Sequence, residues 1–188
     1  MFFRSITKKE KPAQEDTTPR HPAVVVMPVK LPDENVVPTF ARPLRNQLLA
    51  SALGDVVGYK MRPGRGDEPQ GFEIHIVLST DHPRALQSVG NMLDDMDAPV
   101  GSTIEFTETG RRHMFGRTEG MAVDLKRDKN WIDFAELCTD ALGGQAIYHG
   151  SRLRGDLRTL YFYGENYAAM QEVVRRTKVE GAVPRRLT

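Results

Sequence analysis

The order of apolar patterns along the chain constrains its fold most, because the same order occurs twice. The clearest single element is a strand predicted over residues 72–79, where side chains alternate with a period of two. Such a strand buries one face in a core and turns the other face away from it. The predicted core face carries Phe72, Ile74, Ile76 and Leu78, and the opposite face carries Glu73, His75 and Val77.

The remaining elements of the first half follow from β-branched runs and from apolar residues at helical spacing. We predict strands over residues 23–31, 55–61, 72–79 and 103–107, and helices over residues 43–53 and 83–96. Pro28 within the first strand favours an edge position or a bulge, because proline cannot donate a ladder hydrogen bond.

The second half repeats this order of elements. Strands are predicted over residues 120–126, 145–150, 157–163 and 183–187, and helices over residues 131–142 and after Asn166, a suitable N-cap. Each half therefore follows the order β-α-β-β-α-β, which predicts an α+β protein of tandem ferredoxin-like repeats, each an antiparallel sheet with helices on one face. We divide the chain into a disordered tail (1–21), a first repeat (22–112) and a second repeat (113–188).

Composition and charge exclude several classes of function. The 26 Lys and Arg residues nearly balance the 25 Asp and Glu residues, so the net charge of +1 provides no general attraction for nucleic acid. Cys138 is the only cysteine, and the start of the chain lacks the apolar core of a secretory signal. With no apolar run long enough to span a bilayer, we expect a cytoplasmic protein that makes no membrane contact.

The sequence contains no recognisable catalytic or metal-binding motif. No His-x-x-x-His, His-Glu-x-x-His or nucleotide-loop spacing occurs, so we expect no metal, no cofactor and no catalytic residues. The one histidine–carboxylate pair at a spacing of two on a strand is Glu73 and His75, which the alternation places side by side on the non-core face.

Tyrosines on the second repeat are the strongest candidates for a binding surface. Because Leu160 and Phe162 are expected in the core, Tyr161 and Tyr163 are predicted on the opposite, exposed sheet face, where Tyr148 joins them from the neighbouring strand. Two further anchors, Arg62 and Arg65, lie in the glycine- and proline-rich loop over residues 62–71. The alternative is that the two sheets pack against each other or against a second molecule.

Three stretches carry a resemblance to known proteins. Residues 98–104 (APVGSTI), 116–123 (GRTEGMAV) and 160–164 (LYFYG), the last followed by a helix containing Met170, resemble small, largely uncharacterised bacterial α+β proteins. Some of those proteins have the character of immunity or antitoxin-type proteins. The resemblance implies inhibition of a partner and supplies no catalytic residues.

Three functional hypotheses follow. The first is a non-catalytic bacterial protein-binding module that occludes a partner, such as a toxin or an enzyme, or that pairs with a second copy of the chain. Tyrosine and arginine are the anchors expected at such an interface. The second is an enzyme or small-ligand-binding protein that uses the cleft between the repeats, with His75, Glu73 and Tyr161 as its polar groups. The third is RNA binding through stacking on the sheet face.

Overall fold

The computed structural model describes residues 20–64, 69–126 and 130–187. The first repeat contains β1 (His21–Met27), α1 (Asp33–Val36), a π-helical turn (Val37–Ala41), α2 (Arg42–Ala50), β2 (Gly54–Arg62), β3 (Gly71–Leu78), α3 (Pro83–Asp94), β4 (Ser102–Phe106) and β5 (Arg112–Phe115). The second contains β6 (Glu119–Lys126), α4 (Trp131–Leu142), β7 (Ala146–Arg154), β8 (Leu157–Gly164), α5 (Tyr167–Arg176) and β9 (Val183–Arg186). The predicted tail lies outside the described residues, apart from residues 20 and 21, where β1 begins.

The strands form two separate antiparallel sheets with matching topology. The first sheet has the order β2-β3-β1-β4-β5 and the second has the order β7-β8-β6-β9. Leaving β5 aside, the first and third strands of each repeat are central and the second and fourth are outer, which is the split βαβ arrangement. The predicted tandem ferredoxin-like fold is confirmed. The edge position expected for the first strand is wrong, because β1 is central and ends at Met27, just before Pro28.

Alternation along β3 and the apolar stripes of the helices build the first core. Phe72, Ile74, Ile76 and Leu78 are buried as predicted, and helices α2 and α3 contribute Leu44, Leu48, Leu86, Val89 and Leu93 to the same cluster. In the second repeat, Met121, Val123, Leu160 and Phe162 are buried beneath α4 and α5. The predicted cap of α5 is also confirmed, since the Asn166 side chain accepts a hydrogen bond from the backbone N–H of Ala169 (3.0 Å).

The two repeats share buried surface rather than sitting apart. Ala122, Tyr161 and Tyr163 belong to strands of the second sheet, yet they are buried in the apolar cluster of the first repeat. The connection from β1 to α2, residues 28–41, joins them to that cluster, and we call it the crossing segment. Its buried side chains are Val29, Leu31, Val36, Phe40 and Ala41.

Candidate functional site

The crossing segment lies on the face of the second sheet that α4 and α5 leave uncovered. The backbone N–H of Lys30 donates to the Tyr163 hydroxyl (2.6 Å), and the Asn35 side chain donates to the carbonyl of His149 (3.0 Å). The Phe40 ring lies 5.7 Å from the Phe72 ring and 6.0 Å from the His149 ring, centroid to centroid. Polar and aromatic contacts therefore fix how the two repeats are joined.

His149 is a buried histidine at this junction. It lies at a bulge in β7, its ring meets the Tyr163 ring edge-on at 5.2 Å, and its Nε2 atom is buried without a hydrogen-bond partner in the described structure. Burial lowers the pKa of His149 to about 4, because the charged imidazolium would lose its hydration. The imidazole is therefore neutral at physiological pH.

A cleft of about 240 Å³ opens at one end of this junction. In the first repeat, the lining comes from the residue after β1 and from the residues just before β4. In the second repeat, it comes from the start of β6 and from the ends of β8 and β9. The lining residues are Pro28, Pro99, Val100, Thr118, Glu119, Gly120, Tyr163, Arg186 and Leu187.

Glycine at position 120 is required for the shape of the cleft floor. A Cβ atom there would lie 2.8 Å from Cε1 of Tyr163 and 2.9 Å from Cβ of Leu187, closer than packed carbon atoms approach. Thr118, also in the lining, is buried and donates from its hydroxyl to the carbonyl of Asp97 (2.8 Å). The backbone of β6 is therefore held tightly at this point.

Glu119 and Arg186 supply the charges of the cleft. One Glu119 oxygen accepts a hydrogen bond from the backbone N–H of Tyr167 (2.7 Å) at the start of α5, and the other pairs with the Arg186 guanidinium. The Arg186 side chain is 57% exposed and the Glu119 side chain 28%. Glu119 is thus fixed at the helix N-terminus, where a carboxylate is favourable, and the Arg186 guanidinium beside it lies 5.9 Å from the centre of the Tyr167 ring.

The structure corrects the predicted exposure of two tyrosines. Tyr161 and Tyr163 do lie on the sheet face opposite α4 and α5, but each is only 1% exposed. The first repeat covers them through the crossing segment, whose buried side chains share one apolar cluster with them. Neither ring is available for contact with a partner or for stacking on RNA bases.

Tyr148 does not join the other two tyrosines. Because it pairs with Phe162 in the ladder, its side chain lies on the helix face of the sheet, with the rings 5.3 Å apart. It is half-buried there beside α4, and burial raises the pKa of its hydroxyl. The predicted cluster of three tyrosines on one face is therefore wrong.

Glu73 and His75 lie together on the open face of the first sheet, as the alternation predicts. His75 Nε2 is 3.7 Å from Glu73 Oε2, and Arg62 Nε is 3.6 Å from Glu73 Oε1. None of these residues lines the cleft, so the polar groups predicted for it are replaced by Glu119, Tyr163 and Arg186. Arg65 lies outside the described residues.

Three residues of the junction were missed from the sequence. Glu119 and Arg186 are far apart in the chain and meet only because β9 pairs with β6. The sequence held one indication of the position of His149. A glycine follows it, and a glycine within a strand often marks a bulge.

Other chemistry is limited in the described ranges. Within them, no group of three or more His, Cys, Asp or Glu side chains is placed to hold a metal ion. Cys138 is buried, and burial raises the pKa of its thiol to about 12, which leaves it protonated and unreactive. No helix in the described part of the chain has the length and apolarity needed to span a membrane.

Comparison with known proteins finds similarity among solved structures. No protein-family model matches the chain, and no curated protein matches it. Among solved structures, the chain is similar to the regulatory subunit of aspartate kinase from Thermus thermophilus in its ligand-free form. The identity is 14%, the match covers 84% of this chain and 91% of that one, and the TM-score is 0.28.

Proposed function

We propose that the chain binds a small molecule in the cleft between its two repeats. The observation that carries the proposal is the composition of the cleft, whose lining comes from both repeats and includes two charged residues, Glu119 and Arg186. Ligand sites in proteins combine apolar walls with a few convergent polar groups in this way.

The size and lining of the cleft define the class of ligand. Its volume of about 240 Å³ is below the usual range for drug-sized ligands, which starts at roughly 300 Å³. Pro28, Pro99 and Val100 are apolar members of the lining, and Arg186 contributes a cation to it. We therefore propose a small organic anion with an apolar body, held by a charge-assisted hydrogen bond from Arg186.

A ligand in this position would couple binding to the contact between the repeats. It would touch Pro99 and Val100 of the first repeat and Gly120 and Leu187 of the second. A molecule that binds only the joined state stabilises that state by about 2.7 kcal/mol at a concentration one hundred times its Kd. The proposed role is therefore that of a binding or regulatory protein.

A panel of small aliphatic and aromatic carboxylates, screened by thermal unfolding and confirmed by calorimetry, tests this proposal. We expect one chemical class to raise Tm in the wild-type protein and to lose its effect in Arg186→Gln. Arg176→Gln is the matched control, because Arg176 is a similarly exposed arginine on α5, paired with Glu172.

Blocking the mouth provides an independent variant. Val100 is 59% exposed at the cleft, so Val100→Trp fills the entrance without disturbing the core. Leu49→Trp, at a 53% exposed position on α2, controls for the added indole. Binding that survives both Arg186→Gln and Val100→Trp would place the site elsewhere and refute the proposal.

Protein binding is a second candidate, favoured by the open face of the first sheet. This face carries Glu73 and His75, and the exposed side chains of Val57 (60%) and Met114 (69%) flank it. A partner protein would cover this face and be inhibited by occlusion. A partner that co-purifies with the wild type and is lost with Met114→Asp supports this candidate, and one retained by the variant rules the face out.

A further inference from the structure

The face of the second sheet opposite its helices is only half covered. The crossing segment covers Tyr161, Tyr163 and Ala122, and it extends as far as Gly150, where an added Cβ atom would lie 3.1 Å from Cδ of Pro32. Beyond Gly150 the next cross-strand rows of this face lie at the end of the sheet away from the cleft.

The register of the strands collects cations at this end of the face, where Thr159 is still buried and the last row, Arg154, Leu157 and Lys126, is exposed. Arg152 pairs with Thr159, and Arg154 and Lys126 both pair with Leu157. Since cross-strand partners share a face, these cations all lie on the face of Tyr161. We call this surface the basic face, with members Arg152, Arg154, Lys126, Leu157 and Val183.

One carboxylate on these rows, Asp124, is already engaged. It accepts hydrogen bonds from the Thr159 hydroxyl (2.6 Å) and from Nε of Arg185 (3.1 Å). Leu157 is 45% exposed and Val183 is 59% exposed, so aliphatic surface lies between the cations. The basic face is thus positively charged and partly apolar.

The outer surface of α4 has the complementary chemistry. Asp133, Glu136 and Asp140 are exposed on this helix, beside Ile132 (51% exposed) and Leu137 (45% exposed). The twelve residues of α4 include no Lys or Arg. We call these five side chains the acidic face.

We infer that α4 of one copy docks on the basic face of a second copy. A helix of twelve residues is about 18 Å long, and the four strands of the second sheet span about 14 Å between their outer members. The two faces therefore match in size as well as in charge and in aliphatic content.

The contact joins unlike surfaces on opposite sides of one sheet, so it is head-to-tail. Each copy that docks through its acidic face still presents its basic face, and assembly is open-ended unless a ring closes. Nucleic acid is the other polymer a basic face can hold. Stacking aromatics are the usual requirement for single strands, and Tyr161 and Tyr163 are buried on this face.

Sedimentation equilibrium at low and high salt tests the inference, with a single-stranded oligonucleotide added in parallel samples. For the wild type we expect a mass above the 21.1 kDa of one chain that rises with concentration at low salt and returns to one chain near 0.5 M salt, where screening is nearly complete. Arg152→Gln with Arg154→Gln, and separately Glu136→Gln with Asp140→Asn, should each weaken association about tenfold or more.

Mixing the two double variants gives the decisive result. Each keeps one intact face, so an equimolar mixture should form 1:1 pairs and nothing larger. Arg175→Gln with Arg176→Gln removes two exposed cations from α5 and should leave assembly unchanged. The inference is overturned by a wild type that stays monomeric at low salt, by variants that assemble normally, or by a monomer that binds the oligonucleotide through the basic face.

Discussion

The hydroxyl of Tyr163 accepts a 2.6 Å hydrogen bond from the backbone N–H of Lys30, across 133 positions of the chain. Lys30 belongs to the crossing segment of the first repeat, and Tyr163 is a buried residue of β8 in the second. The bond therefore connects the two repeats directly, at the edge of the cleft that Tyr163 also lines.

Tyr163→Phe removes this acceptor and keeps the ring. The N–H of Lys30 is then left in a partly buried position, and we expect a loss of about 1–3 kcal/mol in the free energy of unfolding. Urea unfolding measures the difference. Tyr59→Phe, at a residue 40% exposed on β2, is the control and should change stability little; equal effects of the two substitutions would contradict the assigned role.

His149 predicts a specific loss of stability in acid. Burial lowers its pKa from 6.5 to about 4, so the folded protein binds this proton less readily than the unfolded chain does. The part of the unfolding free energy that depends on neutral His149 is therefore fully present above pH 6.5, and it is lost progressively as pH falls towards 4. The full shift corresponds to about 3 kcal/mol.

The measurement is the free energy of unfolding at pH 7 and at pH 4.5 for the wild type and His149→Leu. The variant should lose less stability between these two pH values, because its side chain takes up no proton. A wild-type slope in His149→Leu would show that other groups carry the acid sensitivity.

The alternation of side chains predicted which face each strand residue occupies but not what covers that face. Tyr161 and Tyr163 were placed on the correct side of the sheet, since period two is a local property of the strand. Their burial depends on the crossing segment, where the chain forms α1 and a π-helical turn. A contact between segments more than one hundred residues apart leaves no periodic pattern.

The cleft, too, could be predicted from the sequence only in part. The boundary between the repeats was visible in the order of elements, so a cleft there could be predicted. Its charged residues could not, because Glu119 meets Arg186 only through the pairing of β6 with β9 and meets Tyr167 only through the approach of α5. Glu73 and His75 were recognised from local spacing and lie on another surface.

Gly150→Ala tests the packing of the crossing segment on the second sheet. Gly150 has a φ of +120°, and an added Cβ atom would lie 3.0 Å from Nδ2 of Asn35 and 3.1 Å from Cδ of Pro32. Backbone strain and this contact together should cost about 1–3 kcal/mol in unfolding free energy. Gly58→Ala is the control, since Gly58 has ordinary φ and nothing within 4 Å; chemical denaturation should show little change there.

The variant Glu119→Gln distinguishes two kinds of site. In one, Arg186 binds an anion by itself; in the other, binding needs the ion pair of Glu119 with Arg186 intact. The glutamine can still accept from the backbone N–H of Tyr167, but it no longer neutralises the Arg186 guanidinium. If the ligand is a small anion, its affinity should rise about three- to tenfold, because a partly exposed negative charge contributes on the order of 1 kcal/mol of repulsion. Calorimetry with the carboxylate selected by the thermal screen measures the change, and Arg186→Gln should shift the affinity in the opposite direction. A loss of affinity in both variants would indicate instead a ligand that presents a cation to Glu119 and an anion to Arg186.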